Sequence, residues 1–93
     1  MQTPDASPAP AAGAGLRIAP DDLLALLAVA RLGKYTAAAA SMGVNHTTVS
    51  RRIAALEKAV GDRVLTASPD GWELTGRGRR LLPAAEEIGR AHV

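Results

Sequence analysis

Residues 36–65, TAAAASMGVNHTTVSRRIAALEKAVGDRVL, decide the fold. Thr36 is a capping residue that predicts the start of a short helix, and Gly43 predicts its end. Asn45 is a second capping residue, and a longer segment with helical apolar periodicity follows it over residues 46–60. A short helix, a tight glycine turn and a longer helix together predict a helix-turn-helix.

One further helix is predicted before this segment, over about residues 22–32. Asp21 can cap it, and Gly33 is its expected C-terminal stop. Its apolar face carries residues at the spacing i, i+3, i+4, i+7, namely Leu23, Leu26, Leu27 and Ala30. This helix supplies the third member of a small helical domain.

After the long helix, residues 63–66 and 72–75 are short β-prone runs, and residues 67–71 between them contain the turn signal Pro-Asp-Gly. The sequence therefore predicts a mainly α protein of the winged helix-turn-helix class, with three helices and a small β-hairpin wing. We assign residues 20–75 to this domain and residues 76–93 to a C-terminal linker or dimerisation helix.

The last helix has an apolar stripe, and we expect residues 81–91 to pair two copies of the chain. The stripe consists of Leu81, Ala84, Ala85, Ile88 and Ala91. Pro83 lies inside the segment, and we expect it to kink or interrupt the helix near Arg79–Arg80.

Composition narrows the class of protein further. With 93 residues, the chain holds one small domain, and residues 1–19 are an Ala/Pro/Gly-rich stretch that we expect to be a disordered tail. The absence of cysteine excludes disulfides and Cys-based metal sites. No apolar run approaches a membrane span, and the N-terminus does not resemble a secretory signal. We therefore expect a soluble, cytoplasmic protein.

The long helix has two chemically different faces. Its core face carries Val49, Ile53, Leu56 and Val60, and the opposite face carries Thr47, Arg51, Ala54 and Lys58, with Ser50 beside it. Small side chains permit close approach to a major groove, and an arginine there can form two hydrogen bonds with guanine. His46 lies in the first turn, which is the part of a recognition helix that usually meets base edges. The alternative is that this face is simply solvated.

At these residues the sequence resembles the DNA-binding domain of LysR-type transcriptional regulators. The resemblance covers about residues 20–92 and rests on an ordered set of motifs rather than on any single one. These are Tyr35-Thr36-Ala37-Ala38-Ala39, Ser50-Arg51, Leu56-Glu57-Lys58-Ala59-Val60-Gly61 and Leu74-Thr75-Gly76-Arg77-Gly78.

The resemblance implies a bacterial transcription factor that binds double-stranded DNA and forms a homodimer through the helix after the wing. The family's base-reading positions correspond to His46, Thr47, Ser50 and Arg51. Thr36 matches a position that can touch the DNA backbone. Further candidates for backbone contacts are Asn45, Thr48, Arg52, Lys58, Arg77, Arg79 and Arg80.

The sequence also departs from the family pattern. Asn45 and His46 stand where Ser and Gln are common, so the base preference is expected to differ. Residues 64–67, Val-Leu-Thr-Ala, lack the arginine that the family uses on phosphate at this point of the wing. Residues 61–75 hold one Arg against two Asp and one Glu, a net charge of −2. The family's long effector-binding domain is absent, so the chain is either a fragment of a longer protein or a stand-alone regulator, and we expect no small-molecule effector site within these residues.

The sequence also allows functions other than DNA binding. A winged helix that contacts protein and has lost DNA binding is the main alternative, and the acidic wing favours it. For Arg77, Arg79 and Arg80, solvation or pairing with Glu86 and Glu87 is the alternative to phosphate contact. His46 and Ser50 have no acid placed to orient the histidine, so no catalytic site is predicted. No metal site, dinucleotide motif or cofactor is predicted either.

Overall fold

The computed structural model describes residues 18–91, and the predicted disordered tail lies almost entirely outside this range. The chain order is three helices, a hairpin and a fourth helix: α1 (Pro20–Leu32), α2 (Tyr35–Met42), α3 (His46–Val60), β1 (Leu65–Ser68), β2 (Gly71–Leu74) and α4 (Gly76–Ala91). The predicted winged helix-turn-helix with a C-terminal helix is confirmed.

The core is almost wholly aliphatic, and α1 lies at its centre. α1 packs against α2, α3 and α4. The fully buried side chains of largest volume are Leu26, Leu56, Leu65, Val29, Val49 and Val64. Since α1 contributes two of these and contacts every other helix, it is the support against which α3 is held.

The predicted start of α3 at His46, capped by Asn45, is confirmed, whereas the starts of α1 and α2 were predicted too late in the sequence. α1 begins at Pro20 with Ala19 as its N-cap, and Asp21 lies within the first turn instead of capping it. Proline is suited to the first helical position, because the N–H that it lacks would have no intrahelical partner there. α2 begins at Tyr35, with Lys34 as N-cap and no side-chain cap, so Thr36 is already the second helical residue.

The hairpin is shifted relative to its prediction. The strands pair antiparallel with Leu65 opposite Leu74 and Ser68 opposite Gly71, which leaves a two-residue loop of Pro69 and Asp70. Gly71 begins β2 at φ 140°, and a Cβ there would collide with the carbonyl oxygen of Gly33. The tight turn and this close backbone approach set where β2 starts.

Pro83 does not interrupt α4, contrary to our expectation, and the helix is continuous from Gly76 to Ala91. Pro83 itself is exposed, whereas Leu81, Leu82 and Ile88 pack on the core and Ala85 is fully buried. Burial of these inward side chains against α1 offsets the hydrogen bond that the proline removes.

Candidate nucleic-acid interface

The outer face of α3 is fully presented to solvent. His46, Thr47, Ser50 and Arg51 are all exposed, whereas Val49, Ile53 and Leu56 on the opposite face are buried. The helical period of 3.6 residues thus separates the two faces as the sequence predicted. The first turn of α3, which carries His46 and Thr47, is therefore exposed to solvent.

Asn45 fixes the start of α3. Its side-chain oxygen accepts hydrogen bonds from the Thr48 backbone N–H at 2.9 Å and from the Thr48 hydroxyl at 3.1 Å. This is an N-cap interaction, and it satisfies a backbone donor that would otherwise lack a partner. Both residues were predicted as contacts to the DNA backbone, and the structure shows that their side chains already bond each other.

The four predicted base-reading side chains have no hydrogen-bond or ion-pair partner within residues 18–91. The next residue along the helix, Arg52, does have a partner. Its guanidinium lies 4.0 Å from the Asp21 carboxylate, and its side chain is only 27% exposed. Burial raises the pKa of the adjacent Asp22, while Arg52 opposes that rise. Arg52 therefore ties α3 to the first turn of α1, and Arg51 keeps all its donors available.

The remaining predicted backbone contacts fall into two groups. Thr36, Lys58 and Arg80 are exposed, and none of the three has a side-chain partner within the described part of the chain. Arg77 forms an ion pair within its own chain, with its Nε 3.8 Å from the Asp62 carboxylate. Arg79 is exposed, and one of its nitrogens donates to the Leu74 carbonyl at 3.0 Å.

The wing is fastened to the turn between α1 and α2. The Trp72 backbone N–H donates to the Gly33 carbonyl at 2.8 Å, and the Trp72 ring lies 5.3 Å from the Tyr35 ring at an interplanar angle of 55°. Trp72 is half-buried against the core. Burial, followed by the nearby Glu57 carboxylate, raises the pKa of Tyr35. These contacts hold the wing's second strand against the start of α2.

A polar junction that sequence analysis missed joins the end of α3 to the start of α4. Glu57 Oε2 accepts from the Val64 backbone N–H at 3.0 Å. The Thr75 hydroxyl donates to the Arg63 carbonyl at 2.6 Å and accepts from the Gly78 N–H at 3.1 Å. Thr75 followed by a helical run is an N-cap signal that could have found half of this junction.

The charges of the wing and α3 differ. Asp70 and Glu73 are exposed on the wing, and Arg51 and Lys58 are exposed on α3.

Within residues 18–91, no three His, Cys, Asp or Glu side chains come together in a way that could hold a metal ion. None of the helices described is long and apolar enough to cross a membrane.

The family of bacterial regulatory helix-turn-helix proteins called lysR matches residues 20–79, which include all of α1, α2, α3 and the wing. The chain belongs to the LysR family. This LysR-family chain carries the DNA-binding helix-turn-helix domain of a transcriptional regulator.

Known relatives of this LysR-family chain are named as regulators. A putative transcriptional regulator of Pseudomonas aeruginosa is 42% identical over 64 residues, which cover 69% of this chain and 21% of that protein. A probable hydrogen peroxide-inducible genes activator of Mycobacterium xenopi is 39% identical over 66 residues, covering 71% of this chain and 35% of the relative. The chain thus spans between a fifth and about a third of these relatives' lengths.

Solved structures agree with this assignment. The CbnR DNA-binding domain, in a complex with DNA, is 32% identical with a TM-score of 0.70, covering 80% of this chain and 85% of that one. DarR of Vibrio fischeri, also in complex with DNA, is 26% identical with a TM-score of 0.72, covering 81% of this chain and 26% of that one.

Proposed function

We propose that this domain reads a specific DNA sequence by placing α3 in the major groove. The observation that carries the proposal is the group of four exposed, unpartnered side chains on the first half of α3: His46, Thr47, Ser50 and Arg51. Arginine donates two parallel hydrogen bonds to guanine, and hydroxyls bond bases or phosphates. The CbnR and DarR complexes, in which similar domains are bound to DNA, support this assignment.

The phosphate contacts are proposed from exposed side chains that have no acidic neighbour among residues 18–91. Lys58 and Arg79 are exposed, and Thr36 adds an exposed hydroxyl near the start of α2. Arg52 and Arg77 each have an acidic neighbour in their own chain, so we expect them to contribute less to phosphate neutralisation. The acidic wing is expected to contribute little attraction for DNA.

The protein is further proposed to act as a homodimer through α4. Leu81, Leu82 and Ile88 pack on the core of their own chain, so the surface left for a partner is the opposite side of the helix. We define this outer α4 face as the exposed residues Arg80, Pro83, Ala84, Glu87 and Ala91. The pairing surface within residues 81–91 is therefore small and partly charged.

The charges on the outer α4 face favour an antiparallel pair. Arg80 and Glu87 lie at equal distances on either side of the point between Pro83 and Ala84. Two copies related by a two-fold axis at that point would place Arg80 opposite Glu87 twice, with the small residues in contact between them. A parallel pair would oppose identical charges, which is destabilising. Glu87 also pairs with Arg90 of its own helix at 2.8 Å, so it would be shared.

The DNA-reading proposal is tested by selecting bound sequences from random DNA and repeating the selection with Arg51→Ala. We expect two half-sites about 34 Å apart or a multiple of that distance, one from each copy of the dimer. Arg51→Ala should cost about 1–3 kcal/mol on the selected sequence and relax preference at one base position. An equal loss on unrelated sequences would make Arg51 a phosphate contact instead.

A protein-contact function is the second candidate, because Asp70 and Glu73 make the exposed wing acidic. Failure to retard any DNA even at low salt would favour it.

We assign no catalytic activity and no cofactor to the domain. We also propose that the protein acts in the cytoplasm.

A further inference from the structure

The middle of the DNA-facing surface of α3 carries a side chain that forms no hydrogen bonds. Ala54 is exposed, and it follows Ser50 by four residues and Arg51 by three. Side chains at these spacings are direct neighbours on a helix, with Cβ atoms about 5–6 Å apart. Ala54 therefore lies beside the groups proposed to read the bases.

Ala54 also lies on a particular side of Arg51. Going round the helix from Arg51, Ala54 is on the side of Ser50 and Glu57, and Glu57 bonds the chain that leads into the wing. Ala55 is equally exposed but lies on the side of Arg52, which pairs with α1. The helix thus offers two alanines in one turn, and only one of them adjoins both Ser50 and Arg51.

We propose that Ala54 recognises the C5 methyl group of a thymine next to the guanine bound by Arg51. Among the groups that base pairs present in the major groove, the thymine methyl is the one that an alanine side chain can contact favourably. Ala54 is three residues from Arg51, about 4.5 Å along the helix axis, and consecutive bases are about 3.4 Å apart, so a base next to that guanine is within its reach. This deepens the proposed DNA-reading function and rests on it.

The expected loss of DNA affinity is that caused by removing one methyl contact. Removing one buried methyl weakens an apolar contact enough to change an equilibrium about fourfold. Replacing thymine by deoxyuridine removes that methyl and leaves every hydrogen-bonding group of the base in place. Substituting each thymine of the selected half-site in turn should therefore reveal one position where wild-type affinity falls about fourfold.

Ala54→Gly should lose the sensitivity to deoxyuridine at that position, and Ala55→Gly should keep it. The two variants are matched, since each puts glycine at an exposed position in the same turn of α3 and carries a similar helix-propensity cost. Comparing two DNA molecules with one protein variant cancels any effect of that variant on folding. The sensitive thymine should lie next to a guanine whose 7-deaza replacement weakens the wild type but not Arg51→Ala.

The inference is overturned if no deoxyuridine substitution weakens wild-type binding, or if Ala54→Gly responds to deoxyuridine as the wild type does. It also fails if the sensitive thymine is remote from the guanine. These results leave the DNA-reading function intact, because the selected sequence is still bound. Failure to select any sequence overturns both proposals and is recognised before any base analogue is used.

Discussion

Asn45 holds the first turn of α3 together from within the protein. Its side-chain oxygen accepts from both the backbone N–H and the hydroxyl of Thr48, so its side-chain NH2 is the part left to donate to a phosphate. Sequence analysis classed Asn45 as both a cap and a backbone contact. The structure shows the cap directly, and the contact with DNA stays a prediction.

Two substitutions at Asn45 separate these roles. Asn45→Ala should lower the free energy of unfolding by about 1 kcal/mol through loss of the cap. In a domain of this size, that corresponds to a fall in melting temperature of about 4–8 °C. Asn45→Asp keeps an oxygen that accepts from Thr48, so its melting temperature should remain close to that of the wild type.

Asn45→Asp should nevertheless bind DNA more weakly, because it replaces an amide donor with a carboxylate beside the DNA phosphates. Thermal unfolding and DNA affinity, measured on the same three proteins, check both statements. Unchanged stability in Asn45→Ala would show that the cap contributes nothing. Undiminished DNA affinity in Asn45→Asp would show that the side chain faces away from the phosphates.

At the scale of helices and strands, the C-terminal ends of the helices were more predictable than the N-terminal ends of α1 and α2. Gly33, Gly43 and Gly61 were identified as helix stops, and each has the left-handed backbone conformation, with φ between 72° and 78°. Glycine is favoured there for a local reason that the sequence displays. The starts of α1 and α2 use Ala19 and Lys34 as caps without side-chain bonds, so the search for capping side chains misplaced them.

Contacts between residues far apart in the sequence determine features of the structure that local sequence patterns could not predict. The outer face of α3 follows from helical periodicity alone, so its exposed side chains were predictable. The pairing of Arg52 with Asp21 and the bond from Trp72 to Gly33 each join residues more than 30 positions apart. No local signal marks such pairs. Sequence analysis therefore could not tell which arginines were free or where β2 would begin.

The antiparallel pairing of α4 makes a prediction about cross-linking. The chain has no cysteine, so a single substitution introduces one defined thiol for each copy. In the proposed pair, the two copies of residue 84 nearly coincide along the helix axis, whereas the two copies of residue 91 are about 22 Å apart. A disulfide needs Cα atoms within about 7 Å.

Ala84→Cys should therefore form a disulfide-linked dimer under mild oxidation, and Ala91→Cys should not. Non-reducing electrophoresis measures both, and adding reductant before a DNA-binding assay shows that the substitutions leave DNA binding intact. Cross-linking of both variants would indicate a parallel pair. A monomeric mass for the wild type at high concentration would count against dimerisation through α4 altogether.

At the scale of the whole molecule, the net charge of +2 conceals an uneven distribution. Residues 36–60 and residues 76–93 each carry +2, residues 61–75 carry −2, and the first 35 residues are neutral. Three arginines in the basic segments have acidic neighbours in the structure: Arg52 with Asp21, Arg77 with Asp62 and Arg90 with Glu87. The cation count therefore exceeds the number of charges available to phosphates, and DNA binding should depend only moderately on salt.

Lys58 tests this charge distribution, because it is exposed on the outer face of α3 and has no side-chain partner within residues 18–91. Lys58→Ala should weaken binding equally on selected and unrelated DNA. It should also reduce the magnitude of the slope of log affinity against log salt by about 0.9, the value expected for one lost phosphate contact. Arg31→Ala is the matched control, since Arg31 is an exposed cation in the last turn of α1 and lies beside Glu86 and Arg90 of α4. If both variants change the slope equally, the attraction arises from net charge rather than from a contact at Lys58.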